Sequence, residues 1–300
     1  MKTAIASKKT LIIINPKAGT KNLDKILKAI ENHLSGKINY EILKLNSIEW
    51  TISSEIEKRL QENTIGIIIA VGGDGTVNSI ASALISKTQI LGIIPIGSGN
   101  GLARELRIPL KISKAFELIL HGGYTEIDCC YINSIPFFCT AGIGFDAYVG
   151  KIFESSKKRG FFTYIKIVAT EFLKYKPQNY RMEIDGKIIN IKAFVITFAN
   201  ARQYGNNAII SPIAKLNDGI IEITVVKPFG FFGAITLTTR LFTKRIHNSR
   251  LVETYSGKKI NIKREHDDVI HYDGESKLMG KELDITIEQK KVKIISLYTS

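Results

Sequence analysis

The stretch IGIIIAVGGDGTVNSIASALI, residues 65–85, decides the fold. It begins with an apolar run of strand length, continues into the glycine-rich loop GGDGT, and ends in apolar positions that recur at helical spacing. A strand that is apolar throughout is typical of a parallel sheet covered by helices on both faces. The loop itself is either an ordinary turn or a phosphate-binding loop, and the rest of the chain has to decide between these two interpretations.

The strand–helix alternation extends over roughly the first 125 residues. The runs KKTLIIIN (8–15), YEILKLN (40–46) and ILGIIPI (90–96) are also strand-like, and helical patterns follow each of them. From about Tyr124 the pattern changes to short strands between Gly or polar turns, among them ELDITIE (282–288) and KVKIISLY (291–298). Two helical stretches, Tyr148–Lys174 and Phe231–Arg245, interrupt them, and Asp185–Gly186 is a hairpin signal. The sequence therefore predicts an α/β domain over residues 1–124, which the loops described below make a nucleotide-binding domain, and an antiparallel, β-rich sandwich domain over residues 125–300. The extreme C-terminus is a candidate to pack back on the first domain.

Composition narrows the class of protein. The chain has 300 residues, 44% of them hydrophobic, and a formal net charge of +14, which favours an anionic partner. There is no basic tail, zinc-finger spacing or RNA-binding aromatic motif, so nucleic acid is not the expected partner. The N-terminus lacks a signal peptide, the apolar runs are too short to span a bilayer, and the three cysteines fit no zinc spacing. We therefore expect a cytoplasmic protein with reduced thiols.

Three loops follow predicted strands of the first domain, namely NPKAGT (15–20), GGDGT (72–76) and GSGNG (97–101). The carboxyl ends of parallel strands lie at one edge of a sheet, where α/β proteins bind ligands, so these loops together predict a nucleotide or phosphate site. The P-loop pattern GxxxxGK[ST] is absent, and GSGNG is not GxGxxG. Asp74 inside such a loop would repel phosphate without a cation, which suggests a Mg²⁺-nucleotide or a catalytic base. The alternative is that Asp74 or Thr76 only caps the following helix.

The complete series of motifs resembles the diacylglycerol kinase/sphingosine kinase superfamily of soluble lipid kinases, in its bacterial form. The resemblance covers nearly the whole chain in the family's order. It is carried by NPKAG, GGDGT with Asn78, GSGNGLAR, GIGFDA (142–147), FANARQYG (198–205), LNDGIIE (216–222) and YDGE (272–275). It implies an NAD kinase/phosphofructokinase-like first domain, a β-sandwich second domain, and transfer of the γ-phosphoryl of Mg-ATP to a lipid hydroxyl in the interdomain cleft.

The resemblance also implies roles for individual residues. Glu275 matches the usual proton acceptor of bacterial members, Asp74 has the role of base or metal-network residue, and Asp128 resembles a further member of that network. Asp218 matches a structural Mg²⁺ ligand, with Lys215 and Ile220 contributing backbone carbonyls. The implied nucleotide-binding residues are Asn15, Pro16, Lys17, Ala18, Gly19, Asn46, Gly72, Gly73, Asp74, Gly75, Thr76, Val77, Asn78, Ser98, Gly99 and Asn100. By their local sequence alone, Glu275 and Asp218 could equally be turn residues.

One departure from the family pattern concerns the lipid. Diacylglycerol kinases usually carry an Asp at the position of Gly101, whereas sphingosine kinases have a small residue there, so the acceptor stays open between a diacylglycerol and a sphingoid base. An NAD kinase, which shares GGDGT, and a non-catalytic lipid- or nucleotide-binding regulator are the alternative functions.

The resemblance further implies a lipid acceptor as partner and peripheral association with a membrane; a homodimer is a further expectation. The aromatic segments PFGFFGAI (228–235) and RGFFTYI (159–165) either dock on an anionic bilayer or pack in the core of the second domain. His266 and His271 fit no metal-ligand spacing, and we expect both at the surface.

Overall fold

The computed structural model describes residues 9–16, 23–45, 50–61, 64–156 and 161–298. Lys17, Ala18, Gly19 and Asn46, four of the expected nucleotide-binding residues, lie outside these ranges. The chain divides into two compact units. The first unit is Met1–Ile127 with Lys290–Ser300, and the second is Asp128–Gln289.

The first unit is built on a parallel sheet with the strand order β2-β1-β3-β4. Its strands are β1 (Lys9–Ile14), β2 (Tyr40–Lys44), β3 (Ile65–Gly72) and β4 (Ile90–Pro95), and its helices are α1 (Leu23–Leu34), α2 (Trp50–Leu60), α3 (Asp74–Ala83), α4 (Gly101–Glu105) and α5 (Ile112–His121). Every residue of β3 is buried, as its apolar run predicts, and α3 packs on it. Lys293 and Ile294, near the end of the chain, pair in parallel with β4.

The second unit contains two antiparallel arrangements of strands. Its strands are β5 (Gly123–Ile132, from residue 128), β6 (Ile135–Phe137), β7 (Thr140–Gly144), β8 (Gln178–Ile184), β9 (Lys187–Ala193), β10 (Val195–Ala199), β11 (Ile221–Val226), β12 (Val252–Gly257), β13 (Lys259–Arg264), β14 (Asp268–Tyr272), β15 (Glu275–Met279) and the first part of β16 (Glu282–Ser296). One arrangement has the order β16-β13-β8-β9, and the other has the order β12-β11-β10-β7-β14-β15.

A hydrophobic core joins the two arrangements of strands. Met182 and Ile262 from the first, and Ile143, Phe198 and Ile223 from the second, are buried in one cluster. The predicted fold class, a parallel α/β domain followed by an antiparallel sandwich, is therefore confirmed.

Three helices, α6 (Phe145–Glu154), α7 (Phe161–Glu171) and α8 (Phe231–Phe242), and a 3₁₀ turn (Ile246–Asn248) complete the second unit. The helical stretch predicted from Tyr148 to Lys174 is thus two helices, because α6 ends at the cap Ser155.

The last strand also differs from the expectation. The segments ELDITIE and KVKIISLY, predicted as separate strands, belong to the single strand β16. Lys290, between them, adopts a left-handed backbone conformation with φ of 51°, which interrupts the regular pleat without ending the strand.

Candidate functional site

Two glycine-rich loops of the first unit pack backbone against backbone. GGDGT follows β3 and GSGNG follows β4, and the N–H of Ile96 donates to the carbonyl of Gly72 at 3.0 Å. A Cβ atom added to Gly97 would come within 2.6 Å of the Cα of Gly73. Only glycine permits this approach, so the loops lie together at the carboxyl edge of the sheet as the sequence predicts.

The carboxylate of Asp74 connects these two loops. Its Oδ2 accepts the backbone N–H of Asn100 at 2.8 Å, and its Oδ1 accepts the backbone N–H of Gly101 at 2.6 Å. The N-cap position of α3 is occupied by Gly73, and Asp74 is the first residue of that helix. The Asp74 side chain therefore caps the start of α4 rather than the start of its own helix. Gly101, the position that departs from the diacylglycerol kinase pattern, is therefore in direct contact with the predicted catalytic carboxylate.

Asn15 joins the first loop to this arrangement. Its Nδ2 donates to Oγ1 of the buried Thr76 at 2.9 Å, so the residues after β1 and those after β3 are in contact. Asn100 has φ of 49° and donates from Nδ2 to the carbonyl of Gly97 at 2.7 Å, which fixes the loop around the exposed Ser98. Among the described residues, the structure thus brings together the expected nucleotide-binding residues of three loops.

In the second unit, Glu275 follows a two-residue hairpin that is anchored by its neighbour Asp273. Asp273 and Gly274 have φ of 44° and 91°, the positive values that a type I′ turn requires. The Asp273 carboxylate accepts the backbone N–H groups of Phe138, Cys139 and Thr140 at 2.7, 2.8 and 3.0 Å. The half-buried Glu275 then begins β15, opposite Tyr272 in the ladder. Three charge-assisted bonds therefore hold the turn that presents Glu275.

Asp128 lies against the LNDG loop that contains Asp218. It is fully buried, its Oδ2 accepts the N–H of Gly219 at 2.7 Å, and its own N–H donates to the carbonyl of Leu216 at 2.7 Å. Gly219 has φ of 72°, a conformation suited to glycine. Asp128 therefore shapes the loop that holds the expected metal ligand.

The Asp218 loop has the chemistry of a weak cation site. Asp218 Oδ1 accepts the N–H of Ile220 at 3.1 Å, and burial together with the negative charge of Asp218 raises the pKa of Glu222. A cation would relieve this repulsion. Among the described residues no group of three acidic, His or Cys side chains could hold a metal, so the carbonyls of Lys215 and Ile220 and water would have to complete the oxygen set.

A buried polar network in the second unit was missed by the sequence analysis. His271 is buried, which makes its predicted surface position wrong, whereas His266 is exposed as expected. Asp146 Oδ2 lies 2.8 Å from His271 Nε2 and accepts the hydroxyl of Tyr204 at 3.0 Å. His271 is on β14, directly before the hairpin, so this network and Asp273 fix the same segment.

The aromatic segment PFGFFGAI shows both of the behaviours considered from sequence, whereas the aromatic side chains of RGFFTYI (159–165) lie outside the described residues. Phe229 packs in a buried cluster with Phe172 and Phe194. Phe231 and Phe232, two and three residues further on, are 64% and 83% exposed. Among the described residues, no helix is long and apolar enough to cross a bilayer.

Comparisons with known families agree with this arrangement. The diacylglycerol kinase catalytic domain matches residues 9–132, and the YegS C-terminal NAD kinase beta sandwich-like domain matches residues 139–293. The chain therefore belongs to the bacterial diacylglycerol kinase/YegS family of lipid kinases, as its motifs indicate.

Individual proteins show the same relationship. An uncharacterized protein of Synechocystis is 31% identical over 284 residues; the match covers 88% of this chain, and this chain spans 65% of the length of that relative. The diacylglycerol kinase of Bacillus subtilis is 27% identical over 85% of this chain and 86% of its own. A Bacillus anthracis crystal structure superimposes with a TM-score of 0.80 over 97% of this chain and 96% of its own, at 25% identity.

Proposed function

We propose that this protein transfers the γ-phosphoryl group of Mg-ATP to the hydroxyl of a lipid acceptor, of the diacylglycerol or sphingoid-base type. The observation that carries the proposal is the pair of hydrogen bonds that the Asp74 carboxylate accepts from Asn100 and Gly101. These bonds brace two glycine-rich loops at the carboxyl edge of a parallel sheet. Membership of the lipid kinase family supports the same reaction. The protein would act in the cytoplasm, at the surface of an anionic membrane where its acceptor resides.

The nucleotide would be held by the first unit. Helix α3 begins at Asp74, and the first N–H groups of a helix have no partners within it, so they are suited to phosphate oxygens. The contact between Gly73 and Gly97 leaves the loop backbone free of side chains, which fits close approach of a phosphate. Mg-ATP would supply the transferable phosphoryl group together with the cation that neutralises its charge.

Glu275, rather than Asp74, is the proposed proton acceptor. Both oxygens of Asp74 accept backbone N–H groups, and those bonds stabilise the loops only while the carboxylate stays where it is. Glu275 instead begins β15 beside a turn that Asp273 holds, and it matches the residue that the family resemblance assigns as proton acceptor. In this proposal Asp74 and Asp128 are positioning residues, and Asp218 with the carbonyls of Lys215 and Ile220 holds a structural Mg²⁺.

The test is transfer of radiolabel from ATP to a panel of diacylglycerol, sphingoid base, monoacylglycerol and NAD. We expect a labelled lipid, and loss of at least roughly a hundredfold in turnover for Glu275→Gln, the usual scale of general base catalysis. Label on NAD alone would identify an NAD kinase. A folded protein that labels none of the acceptors would be a regulator. Light scattering of the same preparation tests whether the protein is a homodimer.

A further inference from the structure

Helix α8 carries an apolar face that points away from the core. Leu237 is buried, and Leu241 packs against the same core cluster. Phe231, Phe232, Ile235 and Phe242 are exposed, and their spacings of three, four and seven residues place them on one side of the helix. Exposing several large apolar side chains together is costly in water, so a contiguous patch of this kind indicates an interaction surface.

The charged residues of the stretch that contains this helix are all cations. Between Ile223 and Val252 the sequence has no Asp or Glu. The cations within this stretch include Arg240, Lys244, Arg245 and Arg250, and among the described residues no carboxylate forms an ion pair with them. Such a surface complements an anionic partner and would repel a second copy of itself.

A pocket with phosphate-binding chemistry lies at the end of the same helix. It has a volume of about 610 Å³ and is lined by Thr239, Arg240, Thr243, Arg245 and Asn248. Nη1 of Arg240 is buried, and among the described residues it has no hydrogen-bond partner. Two guanidinium groups at one pocket match the charge and geometry of a phosphate group, and they outweigh the partial charge of about −0.5 at the C-terminus of the helix.

We propose that α8 and the 3₁₀ turn after it form the membrane-docking surface of this protein, and that its occupant is a bilayer containing anionic phospholipid. The apolar face enters the boundary between headgroups and acyl chains, while Arg240 and Arg245 bind one headgroup phosphate. A bilayer fits better than a protein partner because the apolar face and the phosphate pocket lie on one short helix. This inference rests on the proposed function in one respect, that the acceptor lipid resides in the bilayer.

Sedimentation with vesicles tests the surface directly. The probes are phosphatidylcholine vesicles with and without about one third phosphatidylglycerol. Phe231→Ser combined with Phe232→Ser should weaken binding to both by at least roughly tenfold. Arg240→Gln combined with Arg245→Gln should weaken binding to the anionic vesicles by roughly fivefold per charge, with little change on neutral ones. If the double variant is unstable, Arg245→Gln alone is tested in its place and should show the same selective loss for one charge.

The matched control is Ile188→Ser with Lys187→Gln on β9, which removes an exposed apolar residue and an exposed cation elsewhere in the same unit. The control should bind like the wild type. Unchanged vesicle binding of the Phe231/Phe232 variant would overturn the proposal. Two other results would also overturn it. One is weakened binding of this variant to a single-stranded oligonucleotide while its vesicle binding stays intact. The other is a wild-type dimer that becomes a monomer only in this variant.

Kinase assays separate this surface from the proposed function. With a short-chain diacylglycerol dissolved as monomers, the Phe231/Phe232 variant should match the wild type in turnover. With the acceptor embedded in anionic vesicles, it should lose activity in proportion to its lost binding. If the wild type phosphorylates no lipid in either format, the proposed function fails, and the vesicle sedimentation still decides the docking surface.

Discussion

The sharpest prediction concerns the Asp74 carboxylate as a brace between two loops. It accepts the N–H groups of Asn100 and Gly101 at 2.8 and 2.6 Å, and both of these residues are buried. A hydrogen bond to a charged group contributes about 1.5–3 kcal/mol, and a buried N–H group left without an acceptor costs a similar amount. Because Asp74 itself is partly exposed, we take the lower figure for each bond. Asp74→Ala should therefore destabilise the protein by about 3 kcal/mol.

The measurement is thermal and urea unfolding followed by circular dichroism. A loss of about 3 kcal/mol corresponds to a fall of roughly 6 °C in the Tm of a protein of this size. Asp74→Asn retains one acceptor oxygen but loses the charge, so its Tm should fall by about half as much. Glu31→Gln, at an exposed position on α1, is the control and should leave the Tm unchanged.

Kinetics of the same variants separate bracing from proton transfer. At a temperature where each variant is fully folded, Asp74→Asn should raise the KM for ATP more than it lowers turnover, because the loops that we propose to hold the phosphates lose their alignment. Glu275→Gln should lower turnover with an unchanged Tm. A wild-type Tm for Asp74→Ala would refute the brace. Unchanged nucleotide affinity in Asp74→Asn, with turnover abolished, would make Asp74 the base instead.

Three further predictions follow from other groups. Asp273→Ala leaves three backbone N–H groups without their acceptor, so at about 1.5 kcal/mol for each bond it should lower the free energy of unfolding by about 4–5 kcal/mol and reduce turnover through the hairpin; rescue by Asp273→Asn should be partial. The three cysteines are buried, and burial, followed by nearby negative charges, raises the pKa of Cys130 well above its ordinary range, so alkylation at pH 8 should require unfolding. Burial, followed by the charge of Asp218, raises the pKa of Glu222 above 4.5, so the folded state holds this proton more tightly than the unfolded chain. The wild type should thus lose stability relative to Glu222→Gln as the pH rises above about 4.5, and added Mg²⁺ should shrink the difference; equal pH profiles of the two proteins would contradict this.

The fold was largely predictable because its main signals are local. The all-apolar run of β3 indicates a strand covered on both faces, and Asp185–Gly186 indicates the hairpin between β8 and β9, which the structure contains. The prediction of two strands where the structure has the single strand β16 was wrong because it also relied on local signals. The polar residues Gln289 and Lys290 look like a turn in sequence, but Lys290 adopts a left-handed conformation within a continuing strand. Sequence composition does not distinguish a turn from such an irregularity.

The proximity of the loops in the candidate site was predictable from sequence, but their individual contacts were less so. The rule that ligands bind at the carboxyl edge of a parallel sheet correctly joins GGDGT to GSGNG. It does not predict which backbone groups Asp74 reaches, because its partners lie 26 and 27 residues away along the chain. His271 was misplaced for a related reason, since charged residues flank the short run VIHY on both sides while its partner Asp146 is 125 residues away.

The roles of the carboxylates follow from what each one contacts. A carboxylate in a glycine-rich loop attracts backbone N–H groups for the same electrostatic reason that it attracts a cation, so motif and spacing alone leave bracing and catalysis open. Asp74, Asp128 and Asp273 each accept N–H groups of a loop, and in each case the loop belongs to another part of the chain. These hydrogen bonds to the carboxylates are already formed in the folded protein without a substrate. If these three residues hold the loops, the carboxylate that we propose for proton transfer is Glu275, which follows the hairpin held by Asp273.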